Sequence, residues 1–304
     1  MTIADGPMGD SATAAAGAAA ASARRARRQT IGGLLPIVAW QTLFFAVPMG
    51  VLFVYSFWTM KDYRLDTTFT LANYVRIFTN PIYLKGFLLS LQVALFVTVV
   101  CGVLAFPVAY FIAKKAGRWR VLLLIMVIVP FWVSLIMRAF AWRLLLGERG
   151  VINQGLELTG LIDAPFSFLL YSPTAIVIGL IYAYLPLYVL PLYASIDKVR
   201  DSWIAAAQDL NATPMRAFWE VTFPLAFPGL MVGAVFCFIF GLGEYVVPAL
   251  LGGGKSLVIA QVIRMEFELR QNWPGGAAIS MVLMAFIIAL RALTLRWIRP
   301  EVAR

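Results

Sequence analysis

Long apolar runs separated by short polar connections dominate the pattern of this chain. A helix needs about 20 apolar residues to cross the hydrocarbon core of a bilayer. Six runs reach or nearly reach that length: 31–58, 87–113, 121–146, 174–196, 225–251 and 277–295. The pattern therefore predicts an all-α polytopic membrane protein with about six transmembrane helices.

Prolines inside these runs predict kinks rather than breaks, because neighbouring helices can satisfy the freed backbone groups. The prolines concerned are Pro48, Pro107, Pro130, Pro186, Pro191 and Pro248. The apolar stretch 165–171 is too short to span, and we expect it to lie at the interface or to pack on the bundle.

Composition excludes a soluble protein. The 304 residues are 62% apolar and 13% charged, with a mean hydropathy of +0.84. A soluble domain carries about 25% charged residues, so this chain could not cover its own surface in water. There is no histidine, which removes imidazole metal sites and histidine bases. Cys101 and Cys237 each lie in an apolar run and are interpreted as packing residues rather than as a disulfide or metal pair.

The distribution of charge predicts the topology. Residues 1–30, which end in four arginines, form a disordered basic cytoplasmic tail, and residues 31–304 form the membrane domain. The run 31–58 is too long for a cleavable signal peptide and should remain as an anchor. Connections on the tail's side hold about twice as many Lys and Arg as the opposite ones, which places both termini in the cytoplasm. The net charge of +10 therefore orients the protein, and a nucleic-acid surface is not needed to explain it.

The run "LLGGGKSLVIA", 250–260, resembles a phosphate-binding loop but lacks one of its elements. That loop needs a glycine five positions before the glycine of the final Gly-Lys pair, and Ala249 occupies this position. The run also follows the fifth span on the outer side, away from any ATP. We expect its glycines to form a tight turn that lets the chain double back.

The longest cytoplasmic connection, 197–224, has the pattern of two short helices joined by a turn. Asp201 or Ser202 would cap a helix with Trp203, Ala206, Ala207 and Leu210 on one face. Asn211 would end it, because asparagine tolerates the left-handed conformation. Thr213 and Pro214 would start a second helix, with Met215, Phe218 and Trp219 on one face and Pro224 and Pro228 at its end. We call residues 201–217 the elbow.

Two functions fit the elbow on physical grounds alone. The small residues Ala205, Ala206 and Ala207 would let another protein's groove close on the first helix. Alternatively, the elbow is an amphipathic hairpin that rests on lipid headgroups. The pattern does not favour either one.

The chain resembles the permease subunits of binding-protein-dependent ABC importers of the spermidine/putrescine type. In that family a pattern Glu-Ala-Ala-x-x-x-Gly, followed by a stretch with Leu-Pro, seats in a cleft of the ATPase subunit. Here the corresponding run is Ala205 to Asn211, followed by "FPLAFPG", so that Ala205 replaces the glutamate and Asn211 replaces the glycine. Blocks such as "LAFPVAYFIA" (104–113), "LPLYVLPLYASI" (185–196) and "GEYVVPALLGGGKS" (243–256) extend the resemblance over 31–295.

The resemblance implies a type I ABC importer permease fold in the bacterial inner membrane. It implies a second homologous permease, an ATPase dimer that binds ATP and grips residues 201–214, and an extracytoplasmic binding protein. The chain itself would hold no cofactor or metal and would catalyse nothing. The residues expected to couple to the ATPase are Trp203, Ala205, Ala206, Ala207, Asp209, Leu210, Asn211 and Pro214.

Glu244 is the acidic residue placed well inside a predicted span. A charge near the bilayer centre costs about 2.5–3.5 kcal/mol, so it should face a partner or a water-filled path. Tyr245, Trp132, Tyr182 and Tyr184 could offer aromatic faces to a cationic cargo, although helix packing or an interfacial belt is the commoner role of aromatics at such positions. Arg138 is a candidate ion-pair partner for Glu244 in the closed state; alternatively, both side chains reach their nearest aqueous phase.

Three readings of function follow. An importer permease for a polyamine is the expectation, and related permeases carry phosphonates, opine-like compounds or ferric ion. A secondary transporter would be expected to show coupling-ion carboxylates and broken-helix repeats, of which the sequence shows little. An intramembrane enzyme would be expected to cluster ionisable residues at one depth, and Glu244 stands by itself there.

Overall fold

A computed structural model describes residues 32–254 and 256–297, with side chains as far as 293. The predicted tail, 1–30, lies outside the described residues. The first helix, α1 (Gly32–Tyr55), belongs to a separate compact unit that ends at Tyr55, and it has a mean hydropathy of 2.0. A π-helical turn, Thr42–Ala46, interrupts it one turn before Pro48.

From Ser56 onward the second unit begins with a short hairpin and a short helix. An antiparallel hairpin comprises β1 (Thr59–Lys61) and β2 (Arg64–Asp66), with Met60 opposite Leu65. The helices that follow are α2 (Ala72–Thr79), α3 (Pro81–Lys114), α4 (Arg120–Trp132), α5 (Leu135–Leu146), α6 (Val151–Leu158), α7 (Pro173–Asp197), α8 (Asp201–Asp209), α9 (Pro214–Gly243), α10 (Val246–Leu251), α11 (Ile259–Arg264 and the π turn Met265–Leu269) and α12 (Trp273–Trp297). Five helices are long and apolar enough to span, and a bent pair brings the number to six, as the sequence predicts.

Three long helices, α3, α7 and α9, pack against one another and form the core of this unit. Two glycines allow them to approach closely around Tyr188. A Cβ at Gly233 would lie 2.6 Å from the Tyr188 ring, and one at Gly102 would lie 2.8 Å from its hydroxyl. Cys101 and Cys237 are unpaired thiols in the same core, fully buried, as expected of packing residues. The segment that holds Leu169 and Leu170 also packs against this core.

The third predicted span is broken rather than kinked. The segments Gly117–Trp132 and Leu135–Leu158 are bent by 91° at Val133 and Ser134, both of which have extended backbone. Pro130 lies in the last turn before the break and lacks the N–H that would continue the helical ladder. The expectation of a mere kink at Pro130 is therefore wrong.

The fifth predicted span is also broken, between α9 and α10. Glu244 has extended backbone, with ψ of 128°, and the chain resumes helical structure at Val246. The helices that follow the two breaks, α5 and α10, pack against each other. Irregular backbone at membrane depth is tolerated only where protein or water satisfies it. We therefore expect protein or water to satisfy the backbone at the two breaks.

The glycine run after α10 forms the predicted turn. Gly253 and Gly254 have φ of 64° and 76°, the left-handed region that glycine adopts without strain. The chain then enters α11, which packs against α3. The run therefore reverses the chain between two helices, as expected. Lys255 lies outside the described residues.

Candidate functional site

Glu244 lies at the break between α9 and α10, half-buried, rather than inside a continuous helix. Its Oε2 accepts a hydrogen bond from the Tyr184 hydroxyl at 2.7 Å, and its Oε1 accepts one from the Val246 N–H at 2.7 Å. The second bond satisfies an amide at the start of α10 that has no partner within the helix. Among the ion pairs of residues 32–254 and 256–297, none includes Glu244. Its carboxylate is thus held by neutral donors.

Arg138 is buried on α5, with 8% of its surface exposed. One nitrogen, Nη1, lies 3.5 Å from the Ala183 carbonyl, and the guanidinium lies 5.8 Å from the centre of the Phe131 ring. Its Nε has no hydrogen-bond partner. Ala183 directly precedes Tyr184, so Arg138 and the Tyr184–Glu244 pair approach the same turn of α7. The ion pair expected between Arg138 and Glu244 does not form within the described residues.

The four candidate aromatic residues do not form one cluster. Tyr182 and Tyr184 are two residues apart on α7, about 200° around the helix, and the Tyr182 ring packs against Trp142 at 5.7 Å. Trp132, immediately before the first break, is 85% exposed. Tyr245 already has a cation at its ring, since the Arg264 guanidinium lies 5.8 Å from its centre. The structure therefore groups Tyr184, Glu244 and Arg138 and leaves Trp132 and Tyr182 elsewhere.

The first elbow helix, α8, begins at Asp201, so its N-cap lies one residue before the earlier of the two expected caps. Arg200 is the N-cap residue, and no side chain caps the helix there. The predicted cap at Asp201 or Ser202 is therefore wrong. Asp201 lies in the first turn, where its negative charge is favourable at a helix N-terminus, and it pairs with Lys114.

The turn of the elbow forms as predicted. Asn211 has φ of 64°, and its N–H donates to the Gln208 carbonyl at 2.9 Å. The Thr213 hydroxyl accepts a hydrogen bond from the Arg216 N–H at 3.3 Å, with Pro214 at the first helical position. Both signals come from local backbone chemistry, which sequence reveals well.

The sequence predicts that the second elbow helix ends at Pro224 and Pro228. This prediction is wrong. The helix continues as α9 from Pro214 to Gly243, through a π-helical segment at Phe218–Thr222. A π turn inserts one extra residue into a turn of helix. Pro224 lies two residues after this segment, in a position where its missing N–H is tolerated. The elbow is thus continuous with a long apolar helix.

The residues expected to couple to an ATPase form an accessible surface. All are exposed except Ala207, which is half-buried. Large apolar side chains are also exposed: Leu210 at 84%, Met215 at 66% and Trp203 at 43% in the elbow, and Trp219 at 55% just after it. The elbow therefore presents apolar side chains around small alanines.

A buried polar cluster around Glu266 was not anticipated from the sequence. Glu266 is 1% exposed, and its carboxylate accepts from the Tyr83 hydroxyl at 2.8 Å, from Arg270 Nη1 at 2.5 Å and from Asn272 Nδ2 at 2.8 Å. Arg76 Nη2 lies 3.9 Å away. The i,i+4 spacing of Glu266 and Arg270 was a visible signal, but the partners on α2 and α3 are distant in sequence. Glu266 is thus a structural group.

Within the described residues, no group of three or more Cys, Asp or Glu side chains could hold a metal ion.

Comparison with known proteins decides the family. The profile of the family described as binding-protein-dependent transport system inner membrane component matches residues 14–304. The chain belongs to this family. The permease is 38% identical over 251 residues to the spermidine/putrescine transport system permease protein PotB of Escherichia coli (strain K12), covering 82% of this chain and 90% of that protein. It is 34% identical to PotB of Haemophilus influenzae over 256 residues, covering 83% and 89%.

A solved structure shares the fold of the permease. A chain of a bacterial alginate ABC transporter in complex with an alginate pentasaccharide-bound periplasmic protein has a TM-score of 0.67 at 16% identity, over 90% of this chain and 96% of that one. The expected fold, and the assignment to the permeases of ABC importers, are therefore confirmed.

Proposed function

We propose that this permease forms half of the translocation pathway for a polyamine in an ATP-driven importer. Its relatives in Escherichia coli and Haemophilus influenzae are spermidine/putrescine permeases, and they cover most of the chain. The observation that carries the proposal is the Glu244 carboxylate at the break between α9 and α10, held by neutral donors beside a second broken helix.

A polyamine entering the membrane loses the water around its ammonium groups. A fixed carboxylate offsets part of that loss, because opposite charges attract more strongly where the dielectric constant is low. Tyr184 and the Val246 N–H hold Glu244 in place with bonds that do not neutralise its charge. The carboxylate therefore remains available to a cation, which an ion pair with Arg138 would prevent.

The elbow is proposed to seat in the ATPase. Exposed apolar side chains around small residues are what a protein groove can enclose, and membership in an importer family favours this reading over a hairpin that rests on lipid. Ala205 and Asn211 replace the glutamate and glycine of the family pattern, so docking here depends on shape and apolar contact.

The remaining partners follow from the same proposal. A second homologous permease completes the pathway, a binding protein delivers the cargo from outside, and ATP binds to the separate ATPase. Both termini face the cytoplasm, and the permease chain carries out no chemical step. A cysteine that replaces Met215 is expected to react with a thiol reagent added on the cytoplasmic side and not with one added on the opposite side.

The direct test is uptake by the complete transporter in liposomes. Glu244→Gln keeps a hydrogen-bond acceptor but removes the charge, and it should reduce spermidine uptake at least tenfold, about 1.4 kcal/mol, with normal assembly. Glu157→Gln, an exposed outer glutamate, is the matched control. Unchanged uptake with Glu244→Gln would exclude this carboxylate from the path.

A second cargo class is favoured by one observation, the buried guanidinium of Arg138 with an unpartnered Nε. An anionic cargo such as a phosphonate would find its counter-charge there. Arg138→Gln should then abolish uptake of the anion, while Glu244→Gln should not. Competition of phosphonates against spermidine at the cognate binding protein separates the two cargo classes.

A further inference from the structure

Two basic residues fix the base of the elbow to neighbouring helices. Lys114, the last residue of α3, donates to the Val199 carbonyl and to Asp201 Oδ1, the latter at 2.7 Å. Its side chain is only 10% exposed. Lys114 therefore spans from the end of α3 to the first turn of α8.

Arg120, the first residue of α4, makes a second connection. Its Nη2 lies 2.5 Å from Asp197 Oδ2, and its Nε donates to the Tyr193 hydroxyl. The guanidinium also lies 5.0 Å from the centre of the Tyr193 ring. Arg120 therefore holds the end of α7 through charge, a hydrogen bond and an aromatic face.

The two ion pairs bracket the short connection between α7 and α8. Asp197 ends one helix and Asp201 begins the other, and the residues between them do not belong to either helix. We call the four side chains Lys114, Arg120, Asp197 and Asp201 the elbow clamp. Without it, α8 would be attached to the bundle by its two flanking connections and by its contacts with the start of α9.

We infer that Lys114 and Arg120 are positioning residues for coupling, an inference that rests on the proposed docking of the elbow. Lys114 makes α3 move with the elbow, and Arg120 makes α4 move with the end of α7, which leads into the elbow. α4 ends at the break at Val133 and Ser134, so a displacement of its cytoplasmic end reaches the broken part of the third span.

A coupling role differs from a folding role in what its loss changes. Ion pairs near a surface contribute little to stability, and the Asp201 side chain is 86% exposed. Neutral variants should therefore fold and assemble. What they lose is the rigid link between the elbow and the two helices.

The test uses the full transporter with its ATPase, second permease and binding protein. Lys114→Met combined with Arg120→Gln should leave the amount of copurified ATPase unchanged and leave ATP hydrolysis active. Cargo imported per ATP hydrolysed should fall at least fivefold, within the usual range of coupling between sites. Asp197→Asn combined with Asp201→Asn removes the same pairs from the acidic side and should have the same effect.

Two controls isolate the clamp. Lys61→Met removes an ion pair with Asp66 at 2.9 Å that joins β1 to β2 and does not reach α3, α4 or the elbow; it should leave coupling unchanged. Lys114→Arg combined with Arg120→Lys keeps both charges and should retain coupling. Normal import per ATP in both neutral double variants, or equal uncoupling in the charge-conserving variant, would overturn the inference. Failure of the ATPase to bind the parental permease at the elbow would overturn the proposed function instead.

Discussion

The elbow and α11 are both short helical segments between spans, and they differ in the side chains that they expose and bury. In the elbow, Leu210 and Met215 are 84% and 66% exposed, whereas in α11 the charged Glu266 is 1% exposed. One segment leaves apolar surface in contact with solvent, and the other removes a carboxylate from it. α11 is completed by side chains of its own chain, whereas under the proposed function the ATPase covers the elbow.

This difference predicts where substitutions affect folding and where they affect assembly. A buried carboxylate is tolerated only when donors surround it, so the partners of Glu266 are part of the fold. Exposed apolar side chains contribute free energy only when a partner removes them from water. Damage to α11 should lower stability, and damage to the elbow should lower activity at constant stability.

The largest expected effect is that of Glu266→Gln. The substitution leaves Arg270 without its anion in a partly buried site and should lower the free energy of unfolding by about 3 kcal/mol. Thermal unfolding in detergent measures it. Glu268→Gln, which removes an exposed pair with Arg264, is the control and should change stability little. Equal midpoints for the two variants would contradict the distinction between α11 and the elbow.

The next effect is that of Ala206→Glu in the elbow. A bulky charge on this exposed helix should leave the unfolding midpoint unchanged and weaken ATPase docking by about 2 kcal/mol, roughly thirtyfold. The measurements are ATPase copurification and import per ATP. Ala72→Glu, at an exposed outer helix start, supplies the same change away from the elbow. Normal coupled import by Ala206→Glu would show that the ATPase does not grip this helix.

A smaller effect is expected at Asn211, where φ is 64°. Asn211→Ala should destabilise the turn by about 1 kcal/mol, because alanine adopts the left-handed conformation less readily. Asn211→Gly should be neutral or stabilising. Hydrogen exchange of the elbow amides distinguishes the three chains. Faster exchange in the glycine variant than in the alanine variant would be inconsistent with backbone strain.

The smallest effect concerns the carboxylate of Asp66, on β2. Hydrogen bonds from the Thr68 side chain and Lys61 lower its pKa from 3.8 to about 2. The hairpin contacts are therefore fully present above pH 3.8 and are lost as the pH falls through 2. Carboxyl NMR should show a higher Asp66 pKa in Thr68→Val than in Lys61→Met. Unchanged titration in both variants would show that neither bond forms in solution.

Sequence predicted features that depend on local backbone chemistry or on length. The six apolar runs, the turn at Asn211, the Thr213–Pro214 helix start and the glycine turn after α10 are all observed. Each signal lies within a few neighbouring residues. The conformational preferences behind these features depend on neighbouring residues and not on contacts with distant parts of the chain.

Features that depend on distant partners escaped prediction. A proline predicts a missing hydrogen bond, but tertiary contacts decide whether the helix bends, breaks at Val133, or continues through Pro224 after a π turn. Glu266 and Tyr83 are 183 residues apart, and Lys114 and Asp201 are 87 apart. The sequence supplied the carboxylate at Glu244, but its pairing with Tyr184 became visible only once α7 and α9 were packed.

The complete burial of Cys101 and Cys237 has a practical consequence for these experiments. Water-soluble maleimides should not reach either sulfur in the native protein. Reporter probes can therefore be attached at single introduced cysteines, such as one at Met215, without first removing the natural ones. The wild-type protein, which should not be labelled, is then the negative control when single cysteines are used to map which side of the bilayer each connection occupies.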